Sequence, residues 1–466
     1  MNSALLISDW IATLLGGTLE VVLPTAKLIR GASVEFRGSA RLVWQGGSDV
    51  RVFAETDGAA TLIEEYGQSG IAPGQLLPRE ALVTVTGRTQ DGWDTSTIPV
   101  PGDGYSLHAG SPHVIWDFTT GGLSLSRPAP HGSERRKRVL RGLLGPPPKD
   151  WIRGTEIEVR NEYFGRRSWK LDWLQASTSF GLVAARRRSD QWFEVQIVIE
   201  QVPPREDSIE ILWAVARAFG FVLGRRLVIR GLENLVPERE TRHLFGVERE
   251  PTRKSLPPPL GSGTAYRDHV EALLGRAIDF FITERGEQVA RHLYLCWDTA
   301  DNAFPTQLAV VGICVEALLR IASQNSKGTD SGYTDNDRAA LEAWLGKTKD
   351  SLSERFVARL QGFIAALHHR RPVDILWEWQ RNARLGVSAE DIDAWEKTRH
   401  PAAHGGLGGR IPERSELQLQ LNRLYRVFNL MNRIVLELVG YRGQYVDYSK
   451  AGWPEADFPP APLSGP

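Results

Sequence analysis

The feature that most constrains this chain is a change of hydrophobic period across one proline-rich break, PTRKSLPPPLGSG at 251–263. Before the break, short runs rich in Val, Ile and Thr alternate apolar with polar residues. After it, apolar residues fall three and four apart. A strand buries every second residue and a helix every third or fourth, so the two stretches must pack as separate bodies. A length of 466 residues also exceeds what one hydrophobic core usually serves. Consecutive prolines neither continue a helix nor donate regularly to a sheet, which predicts a linker over 247–263.

Upstream, strands are expected at 19–23, 32–43, 50–54, 82–86, 114–118, 156–159 and 193–200, separated by Gly, Pro and Asp turns. The runs predict a twisted, mostly antiparallel sheet or sandwich. Ile209, Leu212, Val215, Ala216 and Phe219 space a helix over 208–223, and 227–229 reads as one more strand. The fold class is therefore multidomain α+β, with a β-rich domain over 1–246 that senses or regulates. Downstream, helices are expected at 266–282, 304–323, 337–345, 352–367, 373–385, 389–399 and 415–439. They predict an all-α bundle over 264–447, with a loosely ordered, Pro-rich tail over 448–466.

Lys and Arg together equal Asp and Glu at 56 each, so no overall charge excess announces a nucleic-acid partner. Cys296 and Cys314 cannot form a disulfide framework or a CxxC pair, which fits a reducing cytoplasm. The apolar start carries Asp9 and no basic flank, against a secretory signal. The longest apolar run, 308–322, is interrupted by Glu316 and Arg320 and is short of about 20 residues. No membrane span is expected.

Local charge is less even. Residues 134–188 hold 14 Lys and Arg against 6 Asp and Glu, interleaved with Trp151, Tyr163, Phe164, Trp169 and Trp173. Such a stretch, with Arg186, Arg187 and Arg188 at its end, could hold a nucleic-acid backbone and stack bases. The alternative is solvated strand faces with inward aromatics. His368, His369 and Arg370 form a second basic cluster after a helix, with RNA contact and a solvated helix end as the two readings.

The most chemical segment is Thr398-Arg399-His400-Pro401-Ala402-Ala403-His404-Gly405-Gly406. Ser388, with Asp391 three residues on, predicts an N-cap, and Pro401 predicts that the helix ends at Arg399. Arg399, His400 and His404 would then gather at a helix end beside a glycine loop. An Arg, a polar residue directly after it and a His five residues past the Arg resemble the Rx4-6H signature of HEPN domains, and RHxxxHG resembles the ApeA-like branch. The likeness covers about 180 residues, including the long amphipathic helix after the motif.

This resemblance implies a metal-independent endoribonuclease of prokaryotic antiphage defence, acting by abortive infection on an RNA substrate and requiring no cofactor. It implies Arg399 as phosphate clamp, His404 as general acid or base, His400 as polar assistant, and a homodimer with a composite site. A phage-derived trigger is a further implied partner. It also implies that Glu316, in a helix apolar almost all round, pairs with Arg399; an ion pair with Arg320 four residues on is the alternative. His400 and His404 lack a third ligand and an unbroken helical face, so no metal site is expected. Two rival readings stand beside this one: a HEPN module without activity that binds RNA or dimerises, and a β-sandwich recognition domain joined to a helical oligomerisation domain. The intact Arg399 and His404 count against the first, and the second would gain if both were buried and satisfied within one subunit; the structural alternative for the pair is that they cap the helix end.

Overall fold

The computed structural model describes residues 9–30, 34–45, 49–57, 82–101, 105–107, 112–129, 137–147, 156–161, 165–170, 173–189, 191–246, 254–261, 267–302, 304–323, 335–366, 371–382, 384–403 and 414–459. They fall into two compact units, one of residues 1–219 with 227–251 and one of residues 220–226 with 252–466.

The first unit opens with helix α1 (Asp9–Gly16) and strands β1 (Thr18–Arg30), β2 (Val34–Gln45), β3 (Val50–Asp57), β4 (Leu82–Arg88) and β5 (Asp94–Thr97). Next come β6 (Val100–Pro101), β7 (Tyr105–Leu107), β8 (His113–Thr120), β9 (Gly122–Pro128), β10 (Arg138–Gly145), β11 (Glu156–Asn161) and β12 (Gly165–Lys170). The unit is completed by β13 (Trp173–Thr178), β14 (Gly181–Arg187), β15 (Phe193–Ile199), α2 (Ser208–Leu223), β16 (Val228–Leu235) and β17 (Arg239–Phe245). Fifteen strands join one sheet in the order β13-β14-β15-β10-β16-β17-β9-β5-β4-β1-β2-β3-β8-β7, with β6 branching from β4. The β11–β12 hairpin stands apart from it.

The antiparallel, β-rich first half expected from the sequence is what the chain forms. Alternation explains why: β8 buries Val114, Trp116 and Phe118 and exposes the residues between. Trp116 Nε1 keeps its donor satisfied in the core by bonding Thr56 Oγ1 at 2.8 Å. Strands missed by the sequence reading, such as β10 and β17, carry the half-buried Arg141 and Arg242 and the buried Glu240, which blunts the apolar pattern. Glu233 is buried between Arg141 at 3.4 Å and Arg242 at 3.2 Å, and Glu240 pairs with Arg127 at 2.9 Å. Helix α2 lies close on β10: a Cβ at Gly142 would stand 2.4 Å from Leu212 Cδ1, so any larger residue there would oblige Leu212 to shift.

The second unit contains α3 (Arg267–Phe281), α4 (Glu284–Trp297), α5 (Phe304–Ser323), α6 (Asp335–Thr348), α7 (Glu354–Ala366), α8 (Pro372–Arg381), α9 (Ala389–Ala403) and α10 (Arg414–Leu438). Its core is built around α10, which buries Leu424, Val427, Phe428, Met431, Ile434 and Val435 and packs on α5 and α9. Helix α5 is long and apolar enough over Thr306–Ser323 to cross a membrane, and half of that stretch is buried inside the structure.

Four expectations need correction here. Helix α4 was absent from the sequence reading, although Thr283 caps it by accepting from Gly286 N at 3.1 Å. Its Val289, Ala290, Leu293, Cys296 and Trp297 form an ordinary buried stripe. The unit is also not all-α, because β18 (Gly443–Val446) and β19 (Glu455–Phe458) close a hairpin after α10. The chain just beyond 447 is consequently ordered through Phe458: Tyr445, Tyr448 and Phe458 are buried, and these aromatics outweigh the loosening expected of a proline-rich end.

The proline-rich segment contains the division between the two units, at Pro251 and Thr252, and over 254–261 it is packed. Leu256 and Leu260 are buried. Proline lacks a donor but keeps its carbonyl, and the three consecutive carbonyls are used: Pro257 accepts from Asn432 Nδ2 at 3.1 Å, Pro258 from Tyr448 Oη at 2.8 Å, and Pro259 from Val446 N at 2.8 Å. Finally, α9 does not end at Arg399 but runs to Ala403 through Pro401. A proline in a last turn forfeits the bond to the carbonyl four residues back, here that of Lys397, while only two further residues need to follow it.

Candidate functional site

The site grows from the crossing of α5 and α9. Gly312 is the contact point: a Cβ there would lie 3.4 Å from Arg399 Cα, so the two backbones approach closely. Trp395, one turn before Arg399, is buried and donates its Nε1 to Gly312 O at 3.0 Å. A ring and a carbonyl thus fix the rotation of α9 against α5. Thr398 Oγ1 turns back to Ala394 O at 2.6 Å.

This crossing brings Glu316, one turn past Gly312, to Arg399. Arg399 Nη2 stands 2.8 Å from Glu316 Oε2, as the resemblance implied. The alternative partner is engaged as well: Arg320 Nη2 donates to Glu316 Oε1 at 2.9 Å. One carboxylate therefore bridges two guanidiniums, each oxygen taking one. Glu316 is 17% exposed in its side chain, Arg399 37% and Arg320 53%. The acid is largely desolvated between cations that reach water. The Arg399 guanidinium also lies over the Trp395 ring at 5.6 Å, a cation–π contact.

The base of α9 is anchored separately. Ser388 N donates to Asp391 Oδ2 at 3.1 Å and Asp391 N to Ser388 Oγ at 3.2 Å, the reciprocal cap expected from the sequence. The same carboxylate meets the buried Arg433 at 2.6 Å. Arg433 in turn donates to Leu385 O at 2.9 Å and Gly386 O at 2.8 Å, holding the left-handed turn at Leu385, φ 56°.

His400 follows Arg399 on α9, but its side chain lies outside the described residues, as does all of His404. His368, His369 and Arg370 also lie outside them. Of the basic triplet, Arg186 is exposed on β14 opposite Trp173. Arg187 donates to Ser189 O at 3.3 Å. Arg188 lies just past the end of β14, where its side chain is 7% exposed and ion-paired with the buried Glu194 instead of standing free on the surface.

Sequence reasoning missed Gly312 and Trp395. Their signal was present as a glycine and a tryptophan on the buried stripes of two helices, each one turn before the polar residue it positions. Among the described residues no group of three or more His, Cys, Asp and Glu side chains stands together to hold a metal ion.

Comparison with known proteins returns no family model, no curated protein and no solved structure that matches this chain.

Proposed function

We propose that the helical unit is a HEPN-type endoribonuclease that cleaves RNA without a metal and serves antiphage defence by abortive infection. The observation that carries this reading is the Glu316–Arg399 pair at 2.8 Å. It holds a guanidinium in one orientation at a helix crossing while leaving more than a third of it to solvent. A guanidinium so held can accept a phosphodiester bidentately and stay charged.

Cleavage then proceeds by attack of a ribose 2′-oxygen on the adjacent phosphorus. The 2′-proton passes to an imidazole, the bond to the 5′-oxygen breaks, and a second imidazole protonates the leaving oxygen. His404 takes one of these steps, with His400 as assistant; in a homodimer the same histidine of a second copy takes the other. Arg399 carries the charge that develops on phosphorus oxygens. Glu316 is a positioning residue. Ile313, on the same outward stripe of α5 as Glu316, is 57% exposed and is where a second copy would dock in this reading.

RNA incubated with the protein in excess chelator should yield 2′,3′-cyclic phosphate and 5′-hydroxyl ends. Arg399→Ala and His404→Ala should each remove that activity, typically about 10²–10⁴-fold, with the fold unchanged by circular dichroism. Ile313→Glu should both dissociate the dimer and lower cleavage. Equal cutting of an all-deoxy strand, or full activity in either alanine variant, refutes the assignment.

The same ion pair favours a second reading, since Arg399 is engaged within one chain. In that reading the motif is a clamp between α5 and α9, and Arg399→Ala melts the unit while the fraction still folded loses nothing.

A further inference from the structure

Where α5 ends, its last turn walls a cavity of about 310 Å³, within the size range that takes small molecules. Ala322 lies six residues past Glu316, roughly 9 Å along the helix at 1.5 Å per residue. Ala322, Ile434 and Leu438 give the cavity an apolar side; Arg285, Arg384 and Glu437 give it a charged one, with Trp379 beside them.

The charges do not balance. Arg384 lies over the Trp379 ring at 4.7 Å, and its Nη2 is 3.8 Å from Glu437 Oε1, too long for a hydrogen bond. Glu437 has a nearer partner in Arg442 Nη1, at 3.3 Å from its other oxygen. Arg285 donates Nη2 to Ile321 O at 2.8 Å, capping α5. Its Nε is buried with no hydrogen-bond partner, and no carboxylate pairs with it among the described residues. Burial alone pushes this guanidinium below the ordinary arginine range. A partly desolvated cation without a counter-charge is costly, and an anion entering the cavity would relieve that cost.

We propose that this cavity binds a hydroxylated organic phosphate monoester. Its phosphate sits on Arg285 and Arg384, whose planar forks match three acceptor oxygens. Its carbon body lies on Ala322, Ile434 and Leu438, and one of its hydroxyls donates to Glu437. Sugar phosphates and nucleoside monophosphates share this chemistry. The site is independent of the ribonuclease reading, because its residues exclude Glu316 and Arg399.

Calorimetric titration of the full chain with ribose 5-phosphate, AMP, inorganic phosphate and adenosine tests it. At least one ester should bind saturably with one site per chain, and more tightly than inorganic phosphate or adenosine. A stronger response to AMP identifies a nucleotide site; parity between the two esters identifies a sugar phosphate site. Arg384→Gln, at a side chain 39% exposed, should weaken binding about tenfold or more by loss of a charge-assisted bond, with an unchanged melting temperature. Arg285→Lys, which retains a donor for the α5 end, should weaken it too by loss of the fork. The proposal is overturned by no saturable binding of either ester at millimolar concentration, by inorganic phosphate binding as tightly as both, or by affinity unchanged in both variants.

Discussion

Glu316 is the residue on which the site's geometry turns, because it faces two guanidiniums and has one oxygen for each. Glu316→Gln keeps the shape and removes the charge. We expect it to lower kcat for RNA cleavage while KM changes little, as for a residue that orients the phosphate clamp rather than binding substrate. Steady-state kinetics on a defined oligoribonucleotide decides this; a rise in KM alone would make Glu316 part of the RNA-binding surface. Gly312 offers a cleaner structural check. A methyl group at 3.4 Å from Arg399 Cα is an ordinary contact, and alanine is the better helix former by about 1 kcal/mol. Gly312→Ala should therefore be neutral to stabilising, whereas Gly312→Leu should cost about 1–3 kcal/mol by overpacking and separate Glu316 from Arg399. Equal melting temperatures for the leucine variant and the parent would show that the crossing is looser than its distances imply. Of this residue-scale arrangement, the Arg399–Glu316 partnership was anticipated through the family resemblance; the residues alone require only that a carboxylate in an apolar helix reach the surface or find a partner. The bridging by Arg320 was legible only as a rival, because spacing along one helix cannot show that a carboxylate has room for both.

At the scale of elements, α9 is held at its start by Asp391, which caps the helix and neutralises the fully buried Arg433. Desolvation is the largest single influence on Arg433 and opposes its charge, but attraction to Asp391, Tyr445 and Asp447 and the hydrogen bond to Asp391 together outweigh it, so that guanidinium ends up above the ordinary arginine range. Removing one partner of a buried pair strands the other, typically at about 3–5 kcal/mol. Asp391→Ala should lower the denaturant midpoint of the helical unit by an amount in that range, and adding Arg433→Met to it should recover part of the loss. A cost under about 1 kcal/mol would mean that Leu385 O and Gly386 O alone satisfy Arg433. The Ser388 cap was readable because its pattern is local. Helix α4 is equally local, yet its Glu284, Arg285, Glu287 and Arg291 interrupt the apolar rhythm by which a helix shows in sequence. The hairpin of β18 and β19 was hidden for a different reason: Tyr445 packs on Phe458, Tyr448 on Tyr425 and Trp453, and Val446 N and Tyr448 Oη bond the carbonyls of Pro259 and Pro258, contacts mostly between residues distant in sequence.

The whole molecule has two compact units and no net charge at neutral pH, so global charge repulsion contributes little near pH 7 and single buried groups set the acid response. One histidine in each unit is such a group. Burial lowers the pKa of His243 in the sheet unit, with Asp207 opposing it, and burial lowers that of His292 in the helical unit. The sign follows from which state holds the proton. With the folded pKa below the unfolded value of about 6.5, the unfolded chain protonates first as pH falls. Each histidine's contribution is thus complete above about pH 6.5 and is lost as pH falls toward its folded pKa. Carboxylates enter only lower, below about pH 5, which leaves a window in which the histidines act alone. Hydrogen exchange read by mass spectrometry can follow both units at once. Between about pH 6.5 and pH 5 protection should fall in both, His243→Asn should flatten the fall in the β16 and β17 peptides only, and His292→Asn in the α4 and α5 peptides only. Protection that rises in acid would show the imidazoles to be stabilised in the charged form; a variant that flattens both units together would show that they do not unfold as separate bodies.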